Sequence, residues 1–120
     1  MAKILVVDDD ADACILLKQV LTKAGYEVDF LPEGHAIVEQ DFKLPDMFIL
    51  DNTMPTIDGI ALCKFLKLQS HTRNIPVLVI SGNHQLNEKA SKAGAADFLA
   101  KPFCTDALLQ RIAQLLKQAA

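Results

Sequence analysis

The chain has 120 residues, of which 51% are hydrophobic, and a formal net charge of −3. This balance excludes a disordered chain, and the scattered lysines and arginines form no basic stripe, so we expect no direct binding of nucleic acid. No stretch approaches the roughly 20 apolar residues of a membrane span, and the N-terminal apolar run is too short for a secretory signal. We therefore expect one cytoplasmic domain over residues 1–120, with no membrane contact.

The cysteines and histidines show no pattern of a disulfide or a metal site. The three cysteines are odd in number, far apart and set among apolar residues, which predicts reduced thiols in the core. The three histidines lack the spacing of metal ligands, so solvated positions at the surface are expected. The residues concerned are Cys14, Cys63, Cys104, His35, His71 and His84.

The N-terminal part of the chain alternates between strand and helix patterns. Residues 3–8 are almost continuously apolar, which is typical of a strand covered on both faces. The next segment has apolar residues at helical spacing, and we expect Asp10 to cap this helix and Gly25 to end it in the left-handed conformation. Residues 26–30 alternate polar and apolar side chains, which predicts an outer strand, and residues 36–40 are predicted to be a short helix.

The middle of the chain contains the candidate for the central strand, residues 46–51. The loop after it carries Pro55 and Gly59, both of which punctuate regular structure. A helix is predicted beyond Gly59, with Lys64 and Lys67 directed to solvent. The residues expected to point inward from this helix are Leu62, Cys63 and Leu66.

The C-terminal part supplies two further strands, residues 75–81 and 97–100. The segment between them, residues 83–93, is polar and rich in alanine, so we expect the weakest helix there, and the one most able to move. Residues 107–120 have a strongly amphipathic pattern and predict the last helix. Because strands and helices alternate throughout, the sequence predicts an α/β fold, a parallel doubly wound sheet with right-handed crossovers.

Four of the predicted strands end in polar residues that suit one chemical task. The first ends in Asp8 and Asp9, the third in Asp51, the fourth in Ser81, and the fifth in Lys101. Ligands bind at the carboxyl ends of strands in such sheets. At about 4 Å and an effective dielectric near 20, each carboxylate pair repels by roughly 4 kcal/mol, so the cluster takes up protons or holds a cation. Oxygen ligands of this kind suit Mg²⁺, and together with an amine and a hydroxyl they suit phosphoryl transfer to a carboxylate nucleophile.

These residues carry a resemblance to a known family. The pair Asp8-Asp9, Asp51 at the head of Asp-x-x-Met-Pro-x-x-Asp-Gly, Ser81, and Lys101-Pro102-Phe103 are similar to the signature of the receiver domain of two-component response regulators. The resemblance covers the whole chain. It implies a flavodoxin-like (βα)5 fold with five parallel strands in the order 2-1-3-4-5.

The resemblance also implies a role for each signature residue. Asp51 would accept a phosphoryl group from the phosphohistidine of a histidine kinase. Asp9, Asp51 and the backbone carbonyl of Thr53 would ligate Mg²⁺ directly, and Asp8 would hold the ion through water.

At the other strand ends, Ser81 and Lys101 would bind the phosphoryl oxygens. Phe98 resembles the aromatic switch residue that moves with the hydroxyl, and the Lys101–Pro102 bond resembles one that is usually cis in the family. Ser81 stands where threonine is commoner, and Phe98 lacks the phenol of tyrosine.

Simpler interpretations remain open for several residues. Asp10 as a helix cap, Asp58-Gly59 as turn chemistry and Phe98 as a core aromatic all agree with ordinary sequence tendencies. A haloacid-dehalogenase-type phosphatase also uses an aspartyl nucleophile and Mg²⁺, but the residues after Asp8 lack its Asp-x-Asp continuation. A flavodoxin-like cofactor carrier would not place three carboxylates in a phosphate-binding loop.

The sequence therefore predicts a phosphorylation-activated signalling switch that catalyses only its own phosphorylation and dephosphorylation. Phosphorylation is expected to change the surface near the fourth and fifth helices. The expected partners are a sensor histidine kinase or phosphotransfer protein and a downstream target or effector domain, and a homodimer is an open alternative. A receiver-like interaction module that takes no phosphate is the competing hypothesis. We expect either a single-domain regulator or the excised receiver of a longer protein.

Overall fold

Five strands and five helices alternate along the chain in a computed structural model that describes residues 2–40, 42–52 and 58–119. A short 3₁₀ turn, His84–Leu86, precedes the fourth helix. The strands are β1 (Lys3–Val7), β2 (Glu27–Leu31), β3 (Met47–Asp51), β4 (Val77–Ser81) and β5 (Asp97–Ala100), and the helices are α1 (Ala11–Lys23), α2 (His35–Val38), α3 (Gly59–Leu68), α4 (Asn87–Lys92) and α5 (Thr105–Ala119).

The strands form one parallel sheet in the order β2-β1-β3-β4-β5. The predicted α/β architecture and the strand order are therefore confirmed. β3 and β4 are buried along their whole length, which explains why both are continuously apolar in sequence. β2 lies at an edge and keeps exposed positions, as its alternating pattern indicates.

Each strand sends alternate side chains into one of two hydrophobic clusters on opposite faces of the sheet. In β1, Leu5 and Val7 pack on the face covered by α2, α3 and α4, whereas Ile4 and Val6 pack on the face covered by α1 and α5. This alternation follows from the two-residue period of a strand. The sheet is thus covered on both faces, and the ends of its central strands are where buried strands can present polar groups to a ligand.

Local signals set the ends of the helices as expected. The Asp10 side chain accepts hydrogen bonds from the backbone N–H groups of Asp12 and Ala13, so it caps α1. Gly25 follows α1 with a φ of +98°, the left-handed conformation that favours glycine. Asp58 caps α3 through the N–H of Ala61. Within the part of the chain that the structure describes, no helix is both long and apolar enough to span a membrane.

The element boundaries differ from the predicted ones by one to two residues at most ends. The second strand is Glu27–Leu31, the second helix is His35–Val38, and the last helix begins at Thr105. The predicted weak helix over residues 83–93 is a 3₁₀ turn followed by only six α-helical residues, with Ala90 buried. The side chains that pack it on the core are Leu86, Ala90 and Ala93, and its other positions are polar, as the sequence indicates.

Two expectations about side-chain burial are wrong. Cys104 is exposed and Cys14 is half-buried, so only Cys63 is a core thiol, although all three cysteines are free. Cys104 lies just before α5, where the chain passes over the surface. Lys64 and the three histidines are exposed as predicted.

Lys67 is not directed to solvent. Its ammonium group donates hydrogen bonds to the backbone carbonyls of Arg73, at 3.0 Å, and Ile75, at 2.7 Å. Its stem packs closely over Gly94, where an added Cβ would lie 2.7 Å from Lys67 Cγ. Burial lowers the pKa of Lys67 below its ordinary value. Lys67 therefore fastens the connection between α3 and β4 to the helix.

Replacing Lys67 with methionine tests this role. Lys67→Met keeps the aliphatic stem but leaves two carbonyl groups without a donor, so we expect the free energy of unfolding to fall by about 1–2 kcal/mol. Lys64→Met, on the exposed side of the same helix, is the matched control and should change it by less than about 0.5 kcal/mol. Urea denaturation measures both, and equal effects of the two variants would contradict the assignment.

Candidate functional site

The strand register brings the polar strand ends together at one edge of the sheet. Val7 pairs with Leu50 and Ser81 pairs with Ala100. Asp8, the residue after Val7, is therefore beside Asp51, and Lys101, the residue after Ala100, is beside Ser81. β1 and β3 are also the point where the strand order reverses, and ligands bind at such switch points in open α/β sheets.

Asp8, Asp9 and Asp51 form an acidic cluster at this edge. One carboxylate oxygen from each lies within 4.8 Å of the others. Asp8 and Asp51 are only 4% and 3% exposed, whereas Asp9 is exposed, so the cluster has a buried floor and an open side. Three hard oxygen donors around one point, open to water, fit Mg²⁺, which keeps several waters when it binds to proteins. Thr53, the fourth expected ligand, lies outside the described residues.

The surroundings of the cluster change the pKa of the Asp8 carboxyl. The pKa of the Asp8 carboxyl is raised from its ordinary value of 3.8 to about 6, mainly because burial penalises the charged form and also because of the neighbouring Asp51. A hydrogen bond of 3.0 Å from the backbone N–H of Asp10 and the charge of Lys101 act in the opposite direction. Because the pKa rises despite these two favourable contacts, the charged form of Asp8 is destabilised in the folded protein, chiefly by burial and additionally by Asp51.

Lys101 and Ser81 lie at the same edge of the sheet, at the ends of β5 and β4. Lys101 Nζ lies 3.5 Å from Asp51 Oδ2, and its side chain is 37% exposed. The Lys101–Pro102 peptide bond is cis, as the resemblance implies. Ser81 is buried, and its hydroxyl oxygen accepts a hydrogen bond from the N–H of Asn83 at 3.1 Å. The structure thus brings an acid cluster, an amine and a hydroxyl to one place.

Two contacts that the sequence did not reveal hold α3 against the site. The Asn52 side-chain oxygen accepts a hydrogen bond from the N–H of Ile60 at 3.1 Å. A Cβ added at Gly59 would lie 2.8 Å from the Asp51 carbonyl oxygen, so only glycine allows α3 to start so close to Asp51. The Asp-Gly pair predicted as turn chemistry is in fact a capped helix start that fits tightly beside Asp51.

Phe98 lies in the core, 9% exposed, in the cluster that α3 and α4 cover. Its backbone is held by a contact that sequence patterns did not predict. Arg111 of α5 donates hydrogen bonds to Asp97 Oδ1, at 2.8 Å, and to the Phe98 carbonyl, at 3.2 Å. Asp97 Oδ1 also accepts from the Phe98 N–H at 2.8 Å. α5 is therefore tied to both peptide groups of Phe98.

Cys14 is a further neighbour of the acidic cluster. Its thiol donates a long hydrogen bond, 3.5 Å, to the Asp8 carbonyl oxygen. Burial, followed by the charge of Asp8, raises the pKa of Cys14 to about 11. The side chain is therefore a neutral thiol near neutral pH, and it lines the site without adding charge.

Replacing Asp8 tests how far its charged carboxylate destabilises the folded protein. The folded-state pKa of about 6 exceeds the ordinary value of 3.8, so the folded protein binds this proton more tightly than the unfolded chain. The contribution of Asp8 to the free energy of unfolding therefore becomes less favourable as the pH rises from about 4 to above 6. At about pH 7.5 without divalent ions, Asp8→Asn should raise the free energy of unfolding by up to about 3 kcal/mol.

The gain should shrink toward zero below about pH 3, where the Asp8 carboxyl is protonated in both states. Asp12→Asn, an exposed position on α1, is the control and should show no such pH dependence. Urea denaturation in a chelating buffer measures these effects. A destabilising Asp8→Asn at about pH 7.5 would show that the charged Asp8 carboxylate is not penalised in the folded protein.

Comparison with known proteins gives one consistent result. The family model described as the response regulator receiver domain matches residues 4–113. The phosphate regulon transcriptional regulatory protein PhoB of Rhizobium meliloti is 33% identical over 122 residues, which cover 99% of this chain and 54% of PhoB. The chain spans about half the length of the curated relatives it matches.

Solved structures agree. A response regulator from Chloroflexus aurantiacus has a TM-score of 0.90 and 36% identity, with coverage of 97% of this chain and 98% of that one. The receiver domain of the sensor histidine kinase PA1611 from Pseudomonas aeruginosa has a magnesium ion coordinated in its active-site cleft. It has a TM-score of 0.86 at 24% identity, with coverage of 97% and 98%, and this likeness establishes the fold alone. The chain belongs to the response regulator receiver domain family.

Proposed function

We propose that this receiver domain is a switch activated by phosphorylation of Asp51. The observation that carries the proposal is the surroundings of Asp51, a buried carboxylate with Lys101 Nζ at 3.5 Å and two further carboxylates within 4.8 Å. An amine this close can neutralise charge on a transferring phosphoryl group. The exposed side of the cluster, at Asp9, leaves a path for a phosphodonor.

Mg²⁺ is the cofactor of this proposal. Asp9 and Asp51 would ligate it directly together with the Thr53 carbonyl, and Asp8 would hold it through water. When bound, the ion supplies positive charge for the phosphoryl oxygens and the clustered acids. The chemistry of the three carboxylates supports this choice, as does the magnesium ion in the PA1611 receiver.

The transfer step would use Asp51 as the nucleophile. An Asp51 carboxylate oxygen attacks phosphorus in line, a P–O bond forms, and the P–N bond to the kinase imidazole breaks with its electron pair leaving on nitrogen. Lys101 and Ser81 bind the phosphoryl oxygens. Ser81 then exchanges its contact with the Asn83 N–H for one with the phosphoryl group. Hydrolysis of the acyl phosphate returns the domain to its resting state.

The response would travel through the segment after β4 and through Phe98. Movement of Ser81 shifts the backbone that leads into α4, and Phe98 packs against the core beneath it. α5 follows, because Arg111 holds both peptide groups of Phe98 through direct and Asp97-mediated contacts. Two states separated by a few kcal/mol are enough for such a switch.

The proposed partners follow from the same surface. A sensor histidine kinase or phosphotransfer protein in the cytoplasm would supply the phosphoryl group. A downstream target or effector domain would bind near α4 and α5, and a homodimer through this face is the alternative arrangement. Relatives such as PhoB are transcriptional regulators about twice as long as this chain, which supports an effector as the output.

Replacing the nucleophile is the decisive test of phosphorylation. Asp51→Asn should abolish covalent phosphate from acetyl phosphate or a cognate kinase, because the amide is a poor nucleophile and forms no acyl phosphate. Mass spectrometry of the intact protein measures the label, and a chelator should block labelling of the unaltered protein. Asp106→Asn, exposed in the first turn of α5, should label normally. Labelling of Asp51→Asn at the normal level would show that Asp51 is not the phosphorylated residue, whereas an unaltered protein that takes no label would favour the non-phosphorylated interaction module.

Replacing Lys101 separates metal binding from switching. Lys101→Ala retains the three carboxylates, so Mg²⁺ should still stabilise the protein. The response to phosphorylation should be lost, because the ammonium group that binds a phosphoryl oxygen beside Ser81 is missing. Changes in the NMR amide shifts of Phe98 and α4 on phosphorylation measure the response. Lys18→Ala, an exposed position on α1, is the control, and a full response in Lys101→Ala contradicts its role.

A further inference from the structure

Asn52 joins three elements at the end of β3. Its backbone N–H donates a hydrogen bond to the Ile80 carbonyl of β4 at 3.0 Å, and its half-buried side chain accepts one from the Ile60 N–H of α3 at 3.1 Å. A Cβ added at Gly59 would lie 2.8 Å from the Asp51 carbonyl oxygen and 3.1 Å from the Asn52 nitrogen. The peptide group between Asp51 and Asn52 is therefore bonded to β4 and covered by the start of α3.

The bond to the Asn52 side chain differs in kind from the other contacts of α3. The first N–H groups of a helix have no acceptor within the helix. Asp58 accepts from the Ala61 N–H, but both residues belong to the helix start, so this cap does not fix the helix relative to the sheet. The buried apolar side chains of α3 hold it on the sheet, but such contacts are non-directional and allow small shifts along β3. The bond to Asn52 is directional, and it ties α3 to the residue next to Asp51.

We propose that Asn52 is a positioning residue for Asp51, which it keeps in the place where its carboxylate both ligates Mg²⁺ and attacks phosphorus. The inference rests on the proposed function and adds a residue to it. The Asn52 side chain holds α3 against the Asp51 peptide group, so this group cannot turn or move away from the sheet. The Asp51 carboxylate then stays 3.5 Å from Lys101 Nζ and within 4.8 Å of the other two carboxylates.

The chemistry at Asp51 is more sensitive to this placement than the stability of the fold is. Attack on phosphorus needs the reacting atoms near contact distance, and a displacement of about 1 Å can slow a reaction by roughly a hundredfold. Mg²⁺ demands near-ideal octahedral geometry, with ligands at about 2.0–2.1 Å. The fold, by contrast, loses only one hydrogen bond at a helix start when the Asn52 acceptor is removed. Removal should therefore harm the reactions of Asp51 out of proportion to the loss of stability.

The test compares Asn52→Ala with Asp58→Ala, each of which leaves one N–H at the start of α3 without its side-chain acceptor. Both variants should lower the urea midpoint of unfolding by similar amounts. Only Asn52→Ala should raise the Mg²⁺ dissociation constant, by roughly threefold, as measured by titration calorimetry without a phosphodonor. At saturating Mg²⁺ it should also slow the labelling of Asp51 by acetyl phosphate roughly tenfold, as followed by mass spectrometry of the intact protein.

A conservative variant locates the effect in the hydrogen bond. Asn52→Asp keeps an acceptor oxygen for the Ile60 N–H, so the labelling rate should return to within about threefold of that of the unaltered protein. Peptide mapping should find the phosphate on Asp51, as in the unaltered protein. Labelling of Asn52→Asp as slow as that of Asn52→Ala would show that the acceptor oxygen does not position Asp51, and would overturn the inference.

The outcomes separate the inference from the function on which it rests. If the unaltered protein binds Mg²⁺ and is labelled on Asp51, and Asn52→Ala matches Asp58→Ala in both measurements, Asn52 serves stability alone. The inference then fails while the proposed function stands. If the unaltered protein takes no label, both proposals fail.

Discussion

Mutual repulsion among three carboxylates is the constraint on which the site depends. Asp8 and Asp51 cannot separate, because each continues a strand that is fixed between two hydrophobic clusters. With oxygens within 4.8 Å, each pair repels by roughly 3 kcal/mol at an effective dielectric of about 20. The burial of apolar residues on both faces of the sheet thus holds the acids where positive charge must be supplied.

Two neighbouring contacts partly offset this repulsion. The Lys101 ammonium group lies near Asp51, and the Asp10 N–H donates to Asp8. These contacts do not restore an ordinary carboxylate, since burial and the neighbouring Asp51 keep the pKa of Asp8 raised at about 6. A site that is partly neutralised in this way gains most from whatever brings further positive charge, which is why its state can depend on a cation and a phosphoryl group.

Much of this arrangement can be predicted from the sequence, because the apolar runs show where the strands end. Apolar runs that stop at Asp8, Asp51 and Ser81 predict both the strands and the edge where their polar ends meet, and the α/β alternation predicts the sheet. The side chains that were mispredicted depend on contacts with chain segments outside their own helix or strand. Lys67 follows the pattern of a solvated helix face, yet the carbonyls of the next loop pass over it. The hydrogen bond from Arg111 to the Phe98 carbonyl likewise joins residues that no sequence periodicity relates.

The most direct test of the central claim is the stability of the unaltered protein as a function of Mg²⁺ concentration, measured by urea denaturation at about pH 7.5 and constant ionic strength. If the carboxylate cluster binds the ion in the folded state alone, the free energy of unfolding should rise by about 1.4 kcal/mol for each tenfold increase above the dissociation constant. A free energy that stays constant when Mg²⁺ replaces Na⁺ would contradict the account.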